Sequence, residues 1–177
     1  MKSLILITGN AGAGKSTIAK YIEDKFHYKD FALGDNVKTL TYKLLTLFKI
    51  PINSVDDLYD IKTKPKYRSY LQQIGTECMR GTFGDDFWCE QLDKEIRNED
   101  YAIVSDVRFI SEYNYFKSHY NNVHTIKVIR NGIQIMKHQS EQEINTIPAD
   151  FELYNNGSIL DSTLIAYNIM NTINGKF

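Results

Sequence analysis

The sequence predicts a three-layer α/β fold, in which a parallel sheet of about five strands is covered by helices on both faces. Short apolar runs with strand character alternate along the chain with segments whose apolar residues recur at helical spacing. Strands that alternate with helices form parallel sheets, because the helix returns the chain to the end of the sheet at which the previous strand began. A length of 177 residues fits a single domain of this kind, spanning residues 1–177.

The elements follow in order from these two periodicities. The predicted strands are residues 3–8, 31–33, 101–105, 123–129 and 151–154. Helices are predicted where apolar side chains recur three or four residues apart, over residues 18–26, 37–48, 67–80, 88–96 and 160–173. Residues 51–66 are polar and contain Pro51 and Pro65, which indicates a connector.

Charge and composition exclude several classes of partner. The formal net charge of -1 provides no overall field for nucleic acid or an anionic membrane surface, so neither is predicted as a partner. No segment approaches the ~18 to 20 apolar residues of a membrane span. Cys78 and Cys89 fit no metal or disulfide pattern, and free thiols indicate a reducing compartment. We therefore expect a cytoplasmic protein, in the host cytoplasm if the gene is viral.

Residues 9–16 carry the phosphate-binding pattern G-x-x-x-x-G-K-[ST], directly after the first predicted strand. Glycines let the backbone turn tightly and approach a polyphosphate, while the N–H groups of the loop and of the next helix face the negative charge. Lys15 can reach the β- and γ-phosphates, and the Ser16 hydroxyl can ligate Mg²⁺. The predicted ATP-binding residues of this loop are Gly12, Ala13, Gly14, Lys15, Ser16 and Thr17. A kinase, a switch and a motor all remain compatible with the pattern.

Other chemically active residues lie where predicted strands end. Ligands of parallel sheets bind beyond the carboxyl ends of the strands, and Asp35, Asp106 and Arg130 follow three of these ends. Carboxylates beside a phosphate loop can hold Mg²⁺ through water. For Asp35, a cap of the following helix is an equally good explanation, and both roles are compatible.

Arginines point to an acceptor that already carries a phosphate. The chain has five arginines, and Arg68, Arg108 and Arg130 lie beside other candidate residues. Guanidinium groups bind phosphate in a bidentate manner, although any single arginine could be a surface ion-pair partner. A hydroxyl acceptor needs a general base, whereas a phosphate monoester is already anionic and has only to be positioned.

Several motifs in order resemble the deoxynucleoside monophosphate kinases of bacteriophages and related viral and bacterial genomes. The resemblance covers residues 3 to about 165 and rests on Arg68-x-x-Leu71-Gln72-x-x-Gly75-Thr76-Glu77-x-x-Arg80, Asp86-x-Trp88 and Ser105-Asp106-Val107-Arg108-Phe109-x-x-Glu112. The stretches His138-Gln-Ser140-Glu141, Ala149-Asp150-Phe151 and Asn155-Asn156-Gly157 are also similar. Two departures are Gly34-Asp35-Asn36-Val37-Lys38, where the family often has Ala-Asp-Pro-Leu-Lys, and a lid with Arg130, Lys137 and His138 but no second arginine.

The resemblance implies a P-loop nucleoside monophosphate kinase that uses ATP and Mg²⁺ to phosphorylate a deoxynucleoside monophosphate. It implies an acceptor-binding helical region at about residues 35–98 and a lid at about 130–148. The acceptor site would comprise Asp35, Lys38, Arg68, Gln72, Thr76, Arg80, Trp88, Asp106 and Arg108, with Gln72 at the base edge. Lys15, Arg130 and Asp35 would be catalytic, and Ser16 and Asp106 would hold the metal. A homodimer stays open as the assembly.

Two assignments have a structural alternative of similar weight. Asn155 and Asn156 could contact adenine, because an amide offers both a donor and an acceptor, or could simply form a turn. Trp88 could pack on the acceptor sugar and exclude a 2′-hydroxyl, or could belong to the core with Leu92 and Ile96.

Three other functions compete with this interpretation. Another small-molecule kinase with a phosphate acceptor, such as animal-type phosphomevalonate kinase, looks similar. A GTP-binding switch is disfavoured because the chain has no Asn-Lys-x-Asp motif. A catalytically silent nucleotide-binding module is disfavoured because Lys15, Ser16, Asp106 and the arginines are all present.

Overall fold

A five-stranded parallel sheet forms the centre of the computed structural model, which describes residues 2–133 and 142–175. The strands are β1 (Ser3–Thr8), β2 (Lys29–Phe31), β3 (Tyr101–Val107), β4 (Val123–Ile129) and β5 (Phe151–Tyr154). Their order across the sheet is β2-β3-β1-β4-β5, and every neighbouring pair is parallel. The predicted fold class is confirmed.

Helices connect these strands. In the described residues, the α-helices of more than one turn are α1 (Lys15–Phe26), α2 (Leu33–Leu47), α3 (Lys64–Gln72), α4 (Phe87–Ile96), α5 (Ile110–His119) and α6 (Ile159–Ile173). A π-helix, Gln73–Arg80, continues α3 directly, and 3₁₀ turns occupy Val55–Leu58 and Glu143–Thr146. Within the part of the chain described, no helix combines the length and apolar character needed to cross a membrane.

The chain forms two compact units, one of Met1–Ala32 with Glu95–Phe177 and one of Leu33–Lys94. The first contains the sheet. All six residues of β1 are buried, so both faces of this strand are covered, and α1 and α6 pack against the Ile5 and Ile7 side. The second unit is helical and has its own small core around Leu45, Leu58 and Tyr67.

Some predicted boundaries are wrong. The second strand is Lys29–Phe31, and Leu33 begins α2 instead of ending that strand. Asp35 therefore lies in the first turn of α2 and is not its cap. The connector at 51–66 contains a 3₁₀ turn and the first residues of α3. No helix was predicted where α5 lies.

Candidate active site

The glycine-rich loop follows β1, the central strand of the sheet. β2 and β3 lie on one side of β1, and β4 and β5 lie on the other, so the direction in which the chain adds strands reverses at β1. Crevices at such a reversal are where parallel sheets bind ligands. Gly9 has a φ of 139°, and a Cβ placed on it would run into the Val128 carbonyl oxygen of β4. Gly14 has a φ of 97°, and a Cβ there would collide with the Asn155 side-chain amide. The loop is thus pressed against its surroundings at two points where only glycine fits.

Lys15 lies across this loop. Its ammonium nitrogen donates to the Gly9 carbonyl at 2.5 Å and to the Asn10 carbonyl at 3.0 Å, and the residue is 9% exposed. The side chain is therefore ordered along the loop that is predicted to hold a polyphosphate. Ser16 and Thr17 follow in the first turn of α1 and are exposed, as ligand contact from a helix N-terminus requires.

The Asn155 side chain bridges the loop to α6. Its Nδ2 donates to the Ala13 carbonyl at 2.7 Å, and its Oδ1 accepts from the Ser162 hydroxyl at 2.5 Å. Its main-chain N–H donates to the Ile129 carbonyl at the end of β4, at 2.7 Å. Asn156 lies next to it, and its Oδ1 accepts from the Asn131 main-chain N–H at 2.7 Å. Both asparagines are therefore engaged within the protein.

The start of α6, which presents Ser162, is itself fixed. The Ser158 hydroxyl accepts from the Asp161 N–H at 3.2 Å, and the Asp161 carboxylate accepts from the Ser158 N–H at 2.9 Å. This reciprocal capping satisfies helix donors that would otherwise lack partners. Hydrogen bonds from the Ser158 side chain and backbone hold the pKa of Asp161 below its ordinary value.

A cavity of about 300 Å³ opens beside the loop. It brings together the loop, the residue after β4 and the start of α6. Its lining includes Gly14, Thr17, Ile18, Arg130, Asn155 and Ser162. Apolar surface with a few polar groups is typical of a small-molecule site. Arg130, predicted from its place at a strand end, thus does share one cavity with the loop.

Asp106 lies next to β1 through an irregular pairing. Leu6 pairs with Val104, but Thr8 pairs with Val107, so β3 accommodates one more residue than β1 over this interval. Such a bulge changes the direction of the side chains beside it and is common near active sites. Asp106 is the second-last residue of β3 and half-buried, at the same end of the sheet as the loop.

The turn after Asp106 is held by Glu112. Its carboxylate accepts from the Arg108 N–H at 2.8 Å and from the Phe109 N–H at 3.1 Å, and the residue is 5% exposed. The spacing between Arg108 and Glu112 therefore has a mechanical basis, since the glutamate caps α5 and fixes the backbone that carries Arg108.

In the unit of residues 33–94, Lys38 lies between a carboxylate and an aromatic ring. Its ammonium is 2.7 Å from the Asp35 carboxylate and 3.9 Å from the centroid of the Tyr59 ring. The Lys38 side chain is 13% exposed. A cation over a ring face is attracted by the ring quadrupole, so Tyr59 and Asp35 together fix one position for this charge.

Further along this unit, Arg68, Gln72, Thr76 and Arg80 recur every four residues over α3 and the π-helix. The first three are half-buried. Arg80 is 8% exposed, and its guanidinium lies 3.1 Å from the Asp85 carboxylate. π-Helical segments often mark functional sites, because they leave backbone groups to be satisfied by other partners.

Trp88 supplies one such partner. Its indole N–H donates to the Gly75 carbonyl in the π-helix at 2.7 Å, and the residue is 5% exposed. Gly75 itself leaves no space for a side chain, because a Cβ would stand 2.9 Å from Val37 in α2. Trp88 is therefore better described as a core residue than as a residue in direct contact with a sugar. Phe83 is exposed, and its ring stacks on that of Phe87 with 5.1 Å between the centroids.

The structure thus groups the predicted residues into two sets, one for each unit. The first contains the loop, Asp106, Arg108, Arg130, Asn155 and Asn156, and the second contains Asp35, Lys38, Arg68, Gln72, Thr76, Arg80 and Trp88. Lys137, His138, Ser140 and Glu141 lie outside the described residues. Sequence analysis missed the contacts made by Tyr59 and Ser162, which belong to no motif that it used. It included Glu112 in the motif around Asp106 but did not predict that this residue caps α5.

The model of the family described as deoxynucleotide monophosphate kinase matches residues 45–164. The chain belongs to this family. The resemblance noted from the motifs is confirmed. The matched range begins after the glycine-rich loop, so family membership is established independently of the phosphate-binding pattern.

A viral relative carries a name that agrees with the family match. A protein of Acanthamoeba polyphaga mimivirus named as a putative deoxynucleotide monophosphate kinase is 27% identical over 175 residues, covering 88% of this chain and 90% of the relative. The UPF0200 protein MMP1282 of Methanococcus maripaludis is 29% identical over 116 residues, which cover 66% of this chain and 55% of that protein.

Among solved structures, the chain is similar to several small-molecule kinases. A gluconokinase from Sinorhizobium meliloti 1021 aligns with a TM-score of 0.54 at 11% identity, covering 98% of this chain and 95% of that one. The shikimate kinase of Aquifex aeolicus gives a TM-score of 0.50 at 12% identity, covering 97% and 96%. At these identities the likeness establishes the P-loop kinase fold, and family and fold together support a phosphotransferase.

Proposed function

We propose that this protein transfers the γ-phosphoryl group of ATP to deoxynucleoside 5′-monophosphates, giving ADP and the corresponding diphosphates. The proposal rests on the combination of an internally hydrogen-bonded phosphate loop at residues 9–16 and a family match at residues 45–164, a range that does not include the loop. The mimivirus relative, named for the same activity, supports the acceptor class.

On the donor side, the loop N–H groups and Lys15 hold the β- and γ-phosphates. Positioning and charge neutralisation account for most of phosphoryl-transfer catalysis. The acceptor phosphate oxygen attacks the γ-phosphorus while the bond to the ADP oxygen breaks, and no general base is needed because the attacking group is already anionic. Arg130, in the same cavity as Gly14, balances charge on the transferred group.

The chemistry of the donor set fits Mg²⁺. Ser16 supplies a hydroxyl and Asp106 a carboxylate, both oxygen donors of the kind this ion prefers. In the region described, two buried oxygens near the loop, Thr8 Oγ1 and Asn10 Oδ1, have no hydrogen-bond partner, so the site has polar capacity beyond what the protein itself uses. Bound Mg²⁺ would neutralise phosphate charge, with Ser16 as a direct ligand and Asp106 acting through water.

On the acceptor side, Lys38, Arg68 and Arg80, all in the unit of residues 33–94, bind the phosphate of the monophosphate. Asp35 acts through Lys38, whose ammonium it contacts at 2.7 Å. Gln72 and Thr76, one turn apart, contact the base edge. Trp88 supports the π-helix that carries Thr76 and Arg80, because its indole N–H donates to the Gly75 carbonyl.

The test is ADP release, measured in a coupled assay with ATP, Mg²⁺ and a panel of acceptors. The panel contains dAMP, dCMP, dGMP, dTMP, their ribonucleotide counterparts and phosphomevalonate. We expect turnover with at least one deoxynucleotide, and loss of turnover in Lys15→Ala but not in Lys20→Ala. Lys20 is the matched control, because it is an exposed lysine of α1 that pairs with Glu23 and Asp24. Turnover with phosphomevalonate alone, or with no acceptor, would refute the proposal.

Three further expectations remain predictions: the cytoplasmic location, the homodimer, and the lid at about 130–148, which includes residues outside those described. The division into a sheet unit and a unit of residues 33–94 is compatible with an acceptor-binding region at about 35–98.

A further inference from the structure

Asn155 occupies an unusual place for a residue expected to contact adenine. It lines the cavity beside the loop, yet its side chain is held from two sides, by the Ala13 carbonyl and by the Ser162 hydroxyl. Its backbone is tied to the last residue of β4. The loop and α6 therefore hold the side chain of this residue, and β4 holds its backbone.

The contact with Ala13 is made at the centre of the phosphate loop. Ala13 is fully buried and precedes Gly14, whose backbone approaches the same Asn155 amide so closely that a Cβ would not fit. A loop of this kind binds anions only while its N–H groups converge, and the left-handed backbone at Gly14 is part of that conformation. A hydrogen bond to the Ala13 carbonyl restrains the loop in it.

The Ala13 carbonyl fixes the orientation of the amide. A carbonyl can only accept, so Asn155 must present its Nδ2 to Ala13 and its Oδ1 to Ser162. Ser162 is 2% exposed, and its hydroxyl, which has one proton to donate, lies closer to Asn155 Oδ1, at 2.5 Å, than to the Ser158 carbonyl, at 3.2 Å. Ser162 thus supplies the donor that holds the oxygen end of the amide in this orientation.

We propose that Asn155, held by Ser162, is a positioning residue that holds the phosphate loop in its anion-binding conformation, and that its effect is on the polyphosphate of the donor and not on the donor base. This inference rests on the proposed function only in requiring that the loop bind a polyphosphate. A loop that is already in this conformation binds the polyphosphate more tightly, because the apparent affinity is proportional to the fraction of molecules whose loop can bind.

The test measures binding of inorganic tripolyphosphate, which has no base, and of ATP and GTP to the full chain by calorimetry with Mg²⁺. The variants are Asn155→Ala, Asn155→Asp, Ser162→Ala and the double variant Asn155→Ala with Ser162→Ala. Asn155→Asp keeps the shape and the acceptor for Ser162, but it removes the donor to Ala13 and adds a negative charge beside the loop. Thr163→Ala is the control, because Thr163 donates within α6 to the Leu160 carbonyl and does not contact Asn155.

Asn155→Ala should weaken tripolyphosphate and ATP by a similar factor of roughly two to twelve, the usual effect of one hydrogen bond. Asn155→Asp should weaken both ligands by at least as much, because its negative charge also repels the polyphosphate. The ratio of ATP to GTP affinity should stay at its wild-type value, and the double variant should be no weaker than Asn155→Ala alone. Circular dichroism should show that the fold is retained, and Thr163→Ala should match the wild type.

Unchanged tripolyphosphate affinity in both Asn155 variants would overturn the inference, and so would a loss confined to ATP, which would mean contact with adenine. Wild-type protein that binds tripolyphosphate but phosphorylates no deoxynucleotide would refute the proposed function alone. Wild-type protein that binds neither tripolyphosphate nor ATP would refute both.

Discussion

Replacing Gly14 by alanine should destabilise the phosphate loop by more than the same change at Gly12. Gly14 has a φ of 97° and Gly12 a φ of 82°, so an alanine at either position costs about 1 to 2 kcal/mol of stability for the left-handed backbone. A Cβ at Gly12 meets nothing within 4 Å, whereas at Gly14 it collides with the Asn155 amide nitrogen. The two variants therefore differ mainly in this collision.

The extra cost at Gly14 can be estimated from what must move. Displacing the amide breaks its 2.7 Å hydrogen bond to Ala13 and disturbs the one from Ser162. The loss of one to two hydrogen bonds adds about 1 to 2 kcal/mol. For a chain of this length, that corresponds to a melting temperature lower than that of Gly12→Ala by roughly 3 to 6 °C.

Thermal melting followed by circular dichroism measures this difference, in the wild-type background and in Asn155→Ala. With the amide removed, the collision disappears, so the excess cost of Gly14→Ala over Gly12→Ala should vanish. Equal melting temperatures for the two glycine variants in the wild type would refute the reasoning. An excess that persists in Asn155→Ala would do so as well, because it would assign the cost to the backbone.

Three other predictions concern single residues. Lys15→Ala should lower kcat/KM by roughly 10²- to 10³-fold, because the charge at the transferred phosphate is removed, while the melting temperature stays near wild type; full activity would contradict this. Tyr59→Leu should raise the KM for the acceptor by about two- to fivefold through the lost contact with Lys38, and Tyr59→Phe should not; steady-state kinetics with both variants decides this. Burial lowers the pKa of His124 below its ordinary 6.5, so the unfolded chain binds this proton more readily and stability is lost as the pH falls below 6.5. The melting temperature of His124→Gln should therefore drop less than that of wild type between pH 7 and pH 5.5, and an equal drop would show that other groups are responsible.

Local patterns predicted most of the sheet. β1, β4 and β5 have the predicted bounds. β1 is buried on both faces and is therefore mostly apolar, whereas β4 and β5 alternate buried with more exposed residues. β2 was misplaced, because Phe31-Ala32-Leu33 is an apolar run, yet pairing with β3 uses Lys29, Asp30 and Phe31. Leu33 is buried as the first residue of α2 instead.

The helices show where periodicity reaches its limit. α5 carries tyrosines and polar residues around it, and its buried residues include Glu112, so it has no clear apolar stripe. In α6, Leu160 and Leu164 are 77% and 59% exposed, while Ser162 is buried. A spacing rule assigns leucine to the core and serine to the surface, and it fails here because the hydroxyl has a partner in Asn155.

The sequence by itself determined the fold class, the phosphate loop and the family, because each depends on residues close together in the chain or on motifs in a fixed order. Only the tertiary structure decided what Asn155, Tyr59 and Trp88 contact. Trp88 bonds to Gly75, 13 residues away, and Asn155 bonds to Ala13, 142 residues away. Tyr59 contacts Lys38, 21 residues away. A side chain with both polar and apolar character can serve the core or a ligand equally well, and only the neighbours that the fold brings to it determine which.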